Sequence, residues 1–118
     1  MPSSRRLAAL PHRVSLAVPV RHDVQAIVRR FGLAAGGCTA IPAQGAWHAP
    51  DGRVLDEPIV WMQVAFTSAQ VPAVQAAIDR TIAELLSQGE EAVFWTLNDQ
   101  AHLASAPDRD VPTLLSRT

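Results

Sequence analysis

The sequence contains no lysine, no tyrosine and a single cysteine, Cys38, in 118 residues. One thiol excludes an intramolecular disulfide and any zinc site built from several cysteines. Together with the absence of a signal-peptide pattern, it points to a reducing, cytoplasmic location. Long apolar runs are also missing. The run Leu7-Ala8-Ala9-Leu10 is closed by Pro11 and is too short for a signal core or a membrane span. No membrane partner is expected. No glycine-rich phosphate loop, nucleophile elbow, HExxH or deaminase signature occurs, so no motif implies a cofactor.

What is present describes one globular domain. The length is that of a single domain, and a 48% hydrophobic content argues against disorder. The formal net charge of -1 hides an asymmetry. Residues 1–50 hold six arginines against one acid, Asp23, and residues 51–118 hold four arginines against ten acids. The arginines are scattered, which fits two oppositely charged faces better than a basic arm for nucleic acid.

Residues 1–12 hold two prolines and two arginines and read as a flexible N-terminal arm. From Arg13 to Val20 the pattern alternates, with Val14, Leu16, Val18 and Val20 on one face, which predicts a half-buried strand. From Arg21 to Ala35 the period changes: Val24, Ile27, Val28 and Phe31 form one helical stripe, Asp23 is placed to cap it, and Gly32, Gly36 and Gly37 offer stops. Two strand-like runs, Cys38–Trp47 and Val54–Thr67, flank the turn dipeptide Asp51-Gly52 and predict a long hairpin. A helix follows over Ser68–Gly89, with Pro72 in its first turn, and a strand over Glu91–Leu97. Residues 106–118 read as a C-terminal tail, with room for an added strand near Ala101–Ser105.

The order β-α-β-β-α-β predicts an α+β, ferredoxin-like domain over residues 13–105: a four-stranded antiparallel sheet with two helices on one face. The other face would carry Ser15, Ala17, Trp61, Gln63 and Ala65. Such a mostly apolar face with a tryptophan is the mark of a subunit interface, so a homo-oligomer is expected, with Ala17, Trp61, Gln63 and Ala65 in the contact. An RNA-binding sheet of the same topology needs an aromatic on the first strand, and none is there, so nucleic acid is not expected.

Cys38, the Ile41-Pro42 pair, Trp47, Gly52, Glu57 and Thr67 stand in an order and spacing that resemble the PII-like superfamily, in particular its CutA-type branch. The resemblance covers roughly residues 13–97. It implies a compact trimer with ligand clefts between subunits, beside the loop joining the second and third strands, here roughly residues 44–58.

Around that loop lie the candidate ligand-binding residues Trp47, His48, Asp51 and Glu57. His48 with Asp56 offers a His-carboxylate pair for a divalent ion. No two of the four histidines have the spacing of a local metal site. Cys38 reads as a small buried apolar residue, and no sequence feature lowers its pKa. No catalytic residue is assigned. The reading is a non-enzymatic PII-like oligomer that binds a small molecule or divalent ion. The alternative is a dimeric α/β-barrel enzyme of the oxygenase or isomerase type, with Gln63 and His102 as the polar groups available to its pocket.

Overall fold

The computed structural model describes residues 6–49 and 51–105. It contains strands β1 (His12–Pro19), β2 (Thr39–His48), β3 (Val54–Phe66), β4 (Ala92–Leu97) and β5 (Gln100–Ser105). Helix α1 spans Val24–Ala35 and α2 spans Val71–Ser87, the latter led in by a 3-10 turn at Ser68–Gln70. The residues expected in the tail from 106 onward, and residues 1–5 of the expected N-terminal arm, lie outside the described residues; residues 6–11 are exposed and without regular structure, and His12 already belongs to β1.

The strands form one antiparallel sheet in the order β2-β3-β1-β4-β5. The expected four strands are therefore five. The fifth follows from a two-residue turn: Asn98 and Asp99 take φ of 49° and 68°, the left-handed pair that a tight hairpin needs. Asn98 is fastened to the start of β1, because its N–H donates to Arg13 O (2.8 Å) and its Oδ1 accepts from Arg13 N–H (2.9 Å). A short strand added to an edge bears little hydrophobic signal, and the turn pair is Asn-Asp rather than the more telling Asn-Gly.

Period two and period 3.6 divide the side chains as expected. Val14, Leu16 and Val18 of β1 register with Val64, Met62 and Val60 of β3, and all face the helices. With Ile27 and Phe31 of α1, Val74, Ile78 and Leu85 of α2 and Val93 of β4, they form the core. Asp23 caps α1 by accepting from Ala26 N–H at 3.1 Å, and Gly36 ends it in the left-handed region (φ 88°). The helix begins at Val24 rather than Arg21. Arg21 and His22 instead form a turn, closed by His22 N–H donating to Pro19 O at 3.2 Å. Between the helices, Arg30 donates to Thr81 Oγ1 (2.8 Å) and to both oxygens of Glu84 (2.9 Å each). Among the described residues, no helix is long and apolar enough to cross a membrane.

The hairpin outruns the sheet. β1 accompanies β3 only as far as Ile59, opposite Pro19. Beyond it, Gln44–His48 and Val54–Pro58 pair with each other as a two-stranded arm, joined to the end of β1 at its base by Val20 N–H donating to Pro58 O at 3.2 Å. Its tip turns where expected: Gly52 has φ 90° and Asp51 accepts from Arg53 N–H.

Candidate functional site

The face of the sheet away from the helices is uncovered, and at the base of the arm it sinks into a cleft of about 440 Å³. The register explains its walls. Ala17 faces Trp61, Trp61 faces Ile41, and Gly45 faces Glu57, so these open-face positions of three strands converge. Trp47, Trp61 and Phe94 line the cleft, and Trp61 stacks on Phe94 with ring centroids 6.3 Å apart. Gly45 contributes an open floor: a Cβ there would meet Ile59 Cγ2 at 3.5 Å.

Polar groups are few, and two are carboxylates, Glu57 and Glu90. Glu57 Oε1 accepts the indole N–H of Trp47 at 2.6 Å. Its Oε2 lies 3.6 Å from Arg21 Nη1. The other guanidinium nitrogen of Arg21 donates to Glu90 Oε2. The same oxygen takes His22 Nε2 at 2.6 Å, and His22 Nδ1 lies 2.9 Å from Gln88 Oε1. One connected network thus joins the arm, the turn after β1 and the turn after α2. Arg21 is exposed, whereas the side chains of His22 and Glu90 are 5% and 10% exposed.

The end of α2 fixes Glu90. Gly89 (φ 102°) donates to Leu86 O and Glu90 N–H donates to Leu85 O, the paired bonds of a Schellman motif. The residue following the left-handed glycine in this motif is commonly apolar and packs back on the helix. Here it is a buried glutamate. That departure, in Leu85-Leu86-Ser87-Gln88-Gly89-Glu90, was the signal available in the sequence, and sequence reasoning missed it. Arg21 and His22 were missed because they read as the first turn of α1.

The expected site residues divide. Trp47 and Glu57 line the cleft, as do Ala17 and Trp61 from the expected interface. Gln63 and Ala65 lie farther along the same face, beside a second cavity of about 380 Å³ that also touches Cys38. Burial pushes the Cys38 thiol up, which favours the protonated, unreactive form. His48 and Asp56 share the opposite face of the arm, exposed, and Asp51 pairs with Arg53 at the tip (2.6 Å). Among the described residues, no group of three or more His, Cys, Asp or Glu side chains is placed to hold a metal ion. His102 is not on the open face: it registers with Trp95 on the helix side and stacks on it at 5.0 Å. The alternation from Phe94 and Leu103 turns it away from any pocket between facing sheets.

A further polar cluster lies at the far end of β1. His12 stacks on Phe66 (5.4 Å), with Nε2 3.1 Å from Ser68 Oγ and Nδ1 3.1 Å from Asn98 Nδ2. Arg13 N–H occupies Asn98 Oδ1, so the asparagine presents its NH2 group to Nδ1. A neutral His12 ring then carries its proton on Nε2 and donates to Ser68. That arrangement leaves no base for the serine hydroxyl, and the cluster fastens β1 to the start of α2.

No protein-family model matches the sequence, and no curated protein matches it. Solved structures do. CutA from Synechococcus elongatus PCC7942 aligns over 84% of this chain and 84% of its own, with TM-score 0.52 and 18% identity. This is the CutA-type, PII-like fold. The periplasmic divalent cation tolerance protein CutA from Archaeoglobus fulgidus aligns over 89% of this chain and 91% of its own (TM-score 0.50, 12% identity). A phage SAM lyase in complex with S-methyl-5'-thioadenosine aligns over 92% of this chain and all of its own (TM-score 0.63, 13% identity). At these identities the likeness is one of fold. The CutA-like core here is the sheet and its two helices.

Proposed function

We propose that this chain assembles as a homo-oligomer, a trimer, and binds a small adenosyl-type molecule in the cleft at the base of the β2–β3 arm. The observation that supports this best is the cleft itself. Three aromatic side chains, Trp47, Trp61 and Phe94, line an apolar hollow of the size a nucleoside needs, and two carboxylates mark one side. Flat rings favour a flat ligand, and a purine is flat. The complex of a similarly folded phage SAM lyase with S-methyl-5'-thioadenosine favours the adenosyl group. Assembly is supported by the open face around the cleft, where Ala17, Ile59, Trp61 and Phe94 would otherwise meet water.

Two measurements test the proposal. Light scattering behind a sizing column gives the molar mass, with three chains expected. A Trp61→Asp variant should lower that mass toward one chain. Calorimetric titration with S-methyl-5'-thioadenosine should give saturable binding. A mass of two chains sinks the trimer, and absence of binding by this and other nucleosides sinks the ligand.

A second reading is an enzyme acting on a SAM-type substrate in the same cleft. The convergence of Glu57 and Glu90 favours it, since two carboxylates in an apolar hollow are the material of acid–base chemistry. Release of S-methyl-5'-thioadenosine from S-adenosylmethionine, followed by chromatography, decides between binding and turnover.

A further inference from the structure

We infer that Arg21 is the positioning residue of the cleft: through its side chain it carries the β1–β3 pairing one step beyond the sheet and holds the arm against the end of α2. The contact stands on its own geometry. Its effect on ligand affinity rests on the proposal that the cleft is the binding site.

The ladder between β1 and β3 stops at a proline. Pro19 stands opposite Ile59, so the next pair along is Val20 and Pro58. Facing residues of a hydrogen-bonded antiparallel pair exchange two bonds. Here Val20 N–H donates to Pro58 O at 3.2 Å, and the return bond cannot form because proline has no N–H. The backbone link at the base of the arm is therefore half a rung. One step farther, where Arg21 comes level with Glu57, the pairing passes to the side chains. Arg21 Nη1 lies 3.6 Å from Glu57 Oε2, and the other guanidinium nitrogen donates to Glu90 Oε2. One guanidinium thus spans two walls of the cleft. Glu57 stands with Trp47 on the arm, and Glu90 stands with Ala92 and Phe94 on the body.

Both partners of Arg21 are acids, so its removal does more than delete a contact. Two carboxylates that share one cation would be left to repel each other. The arm, with half a rung at its base, is the part that yields. Trp47 would move with it, because Glu57 Oε1 holds the indole N–H. The Arg21 side chain is 57% exposed, so this tie is open to screening by salt.

The Val20 amide reports the half rung directly. Val18, two residues back on the same edge of the strand, is the reference. Hydrogen exchange followed by NMR on the full-length protein, at fixed pH, gives the ratio of the Val20 rate to the Val18 rate. In the parent this ratio should rise with sodium chloride concentration. In Arg21→Gln at low salt it should be higher by roughly two- to fivefold, the scale of a partly exposed ion pair, and should fall as salt screens the two carboxylates. Adding Glu57→Gln removes the repulsion, so the double variant should exchange more slowly at Val20 than Arg21→Gln alone. Affinity for S-methyl-5'-thioadenosine, by calorimetric titration, should decrease in the order in which the ratio increases. A parent ratio indifferent to salt overturns the tie without any variant being made. A double variant that exchanges as fast as the single one, or faster, assigns the effect to packing and overturns the electrostatic role. An affinity that stays constant while the ratio changes overturns the positioning role. Absence of binding by the parent overturns the cleft reading and with it the positioning role, while the exchange ratios still decide the tie.

Discussion

Trp47 and Glu57 are joined across the arm, indole Nε1 to carboxylate Oε1, at 2.6 Å. The register pairs Trp47 with Leu55 and Gly45 with Glu57, so the two are diagonal neighbours on the open face. A two-stranded ribbon alone is marginal in water, and this bond ties its strands where the sheet no longer supports them. Trp47→Phe keeps an aromatic wall and removes the donor. Thermal unfolding should show a loss of about 1 kcal/mol, and affinity for S-methyl-5'-thioadenosine should fall severalfold. An unchanged affinity would remove Trp47 from the site.

Gly45 lines the cleft in an ordinary backbone conformation, and a Cβ there meets Ile59 Cγ2 at 3.5 Å and Glu57 Cγ and backbone O at 3.8 Å, all ordinary van der Waals distances. Gly45→Val should therefore fold, with stability equal to the parent or raised by a few tenths of a kcal/mol, since β-branched residues suit strands. It should weaken ligand binding tenfold or more by filling the floor. Circular dichroism melts and titration on the same sample separate the two effects.

Glu84 is where pH should act on stability. The hydrogen bonds from Arg30, followed by those from Arg80, hold its carboxyl below the usual glutamate value. The stabilisation is complete above the unfolded-state value and is lost as pH falls through the lower folded-state value. Glu84→Gln should cost on the order of 1 kcal/mol at neutral pH, discounted because the side chain is 35% exposed. The two proteins should converge in stability below the ordinary carboxylate range. Urea midpoints between pH 7 and pH 3 measure this, and a gap that persists in acid would assign the effect to packing.

The β4–β5 turn rests on Asn98 in a left-handed conformation. Asn98→Gly keeps the backbone at ease and loses the bond to Arg13 N–H, whereas Asn98→Ala loses both. The expected order of stability is parent, then glycine, then alanine, with alanine lower by roughly 1–2 kcal/mol. Amide exchange of Arg13 should accelerate in both variants.

The sheet and helices were legible because burial imposes period two or 3.6 on apolar residues, and β1, α1, β3 and α2 are each half buried. β5 was marginal because its Gln100-Ala101-His102 start is exposed or partly so, and the turn before it draws its conformation from contacts with Arg13, which is 85 positions away in sequence. The site was half legible. Trp47 and Glu57 lie on the hairpin, whose position follows from the turn dipeptide. Glu90, Arg21 and His22 come from two turns that only the folded chain brings together, and single turns carry no periodicity to read. His48 and Asp56 looked equivalent to Trp47 and Glu57 by proximity in sequence, yet alternation sends them to the other side of the arm.

Glu90 is held by the last turn of α2, so the cleft and that turn open together. Fraying that breaks the bonds from Gly89 to Leu86 and from Glu90 to Leu85 withdraws a carboxylate from the hollow. By mass action, anything that occupies the hollow only when Glu90 is in place must slow that fraying, by a factor that rises with occupancy. The amides of Gly89 and Glu90 are thus local reporters of a filled cleft: their deuterium uptake should fall with ligand concentration while that of the tip residue Gly52 stays constant.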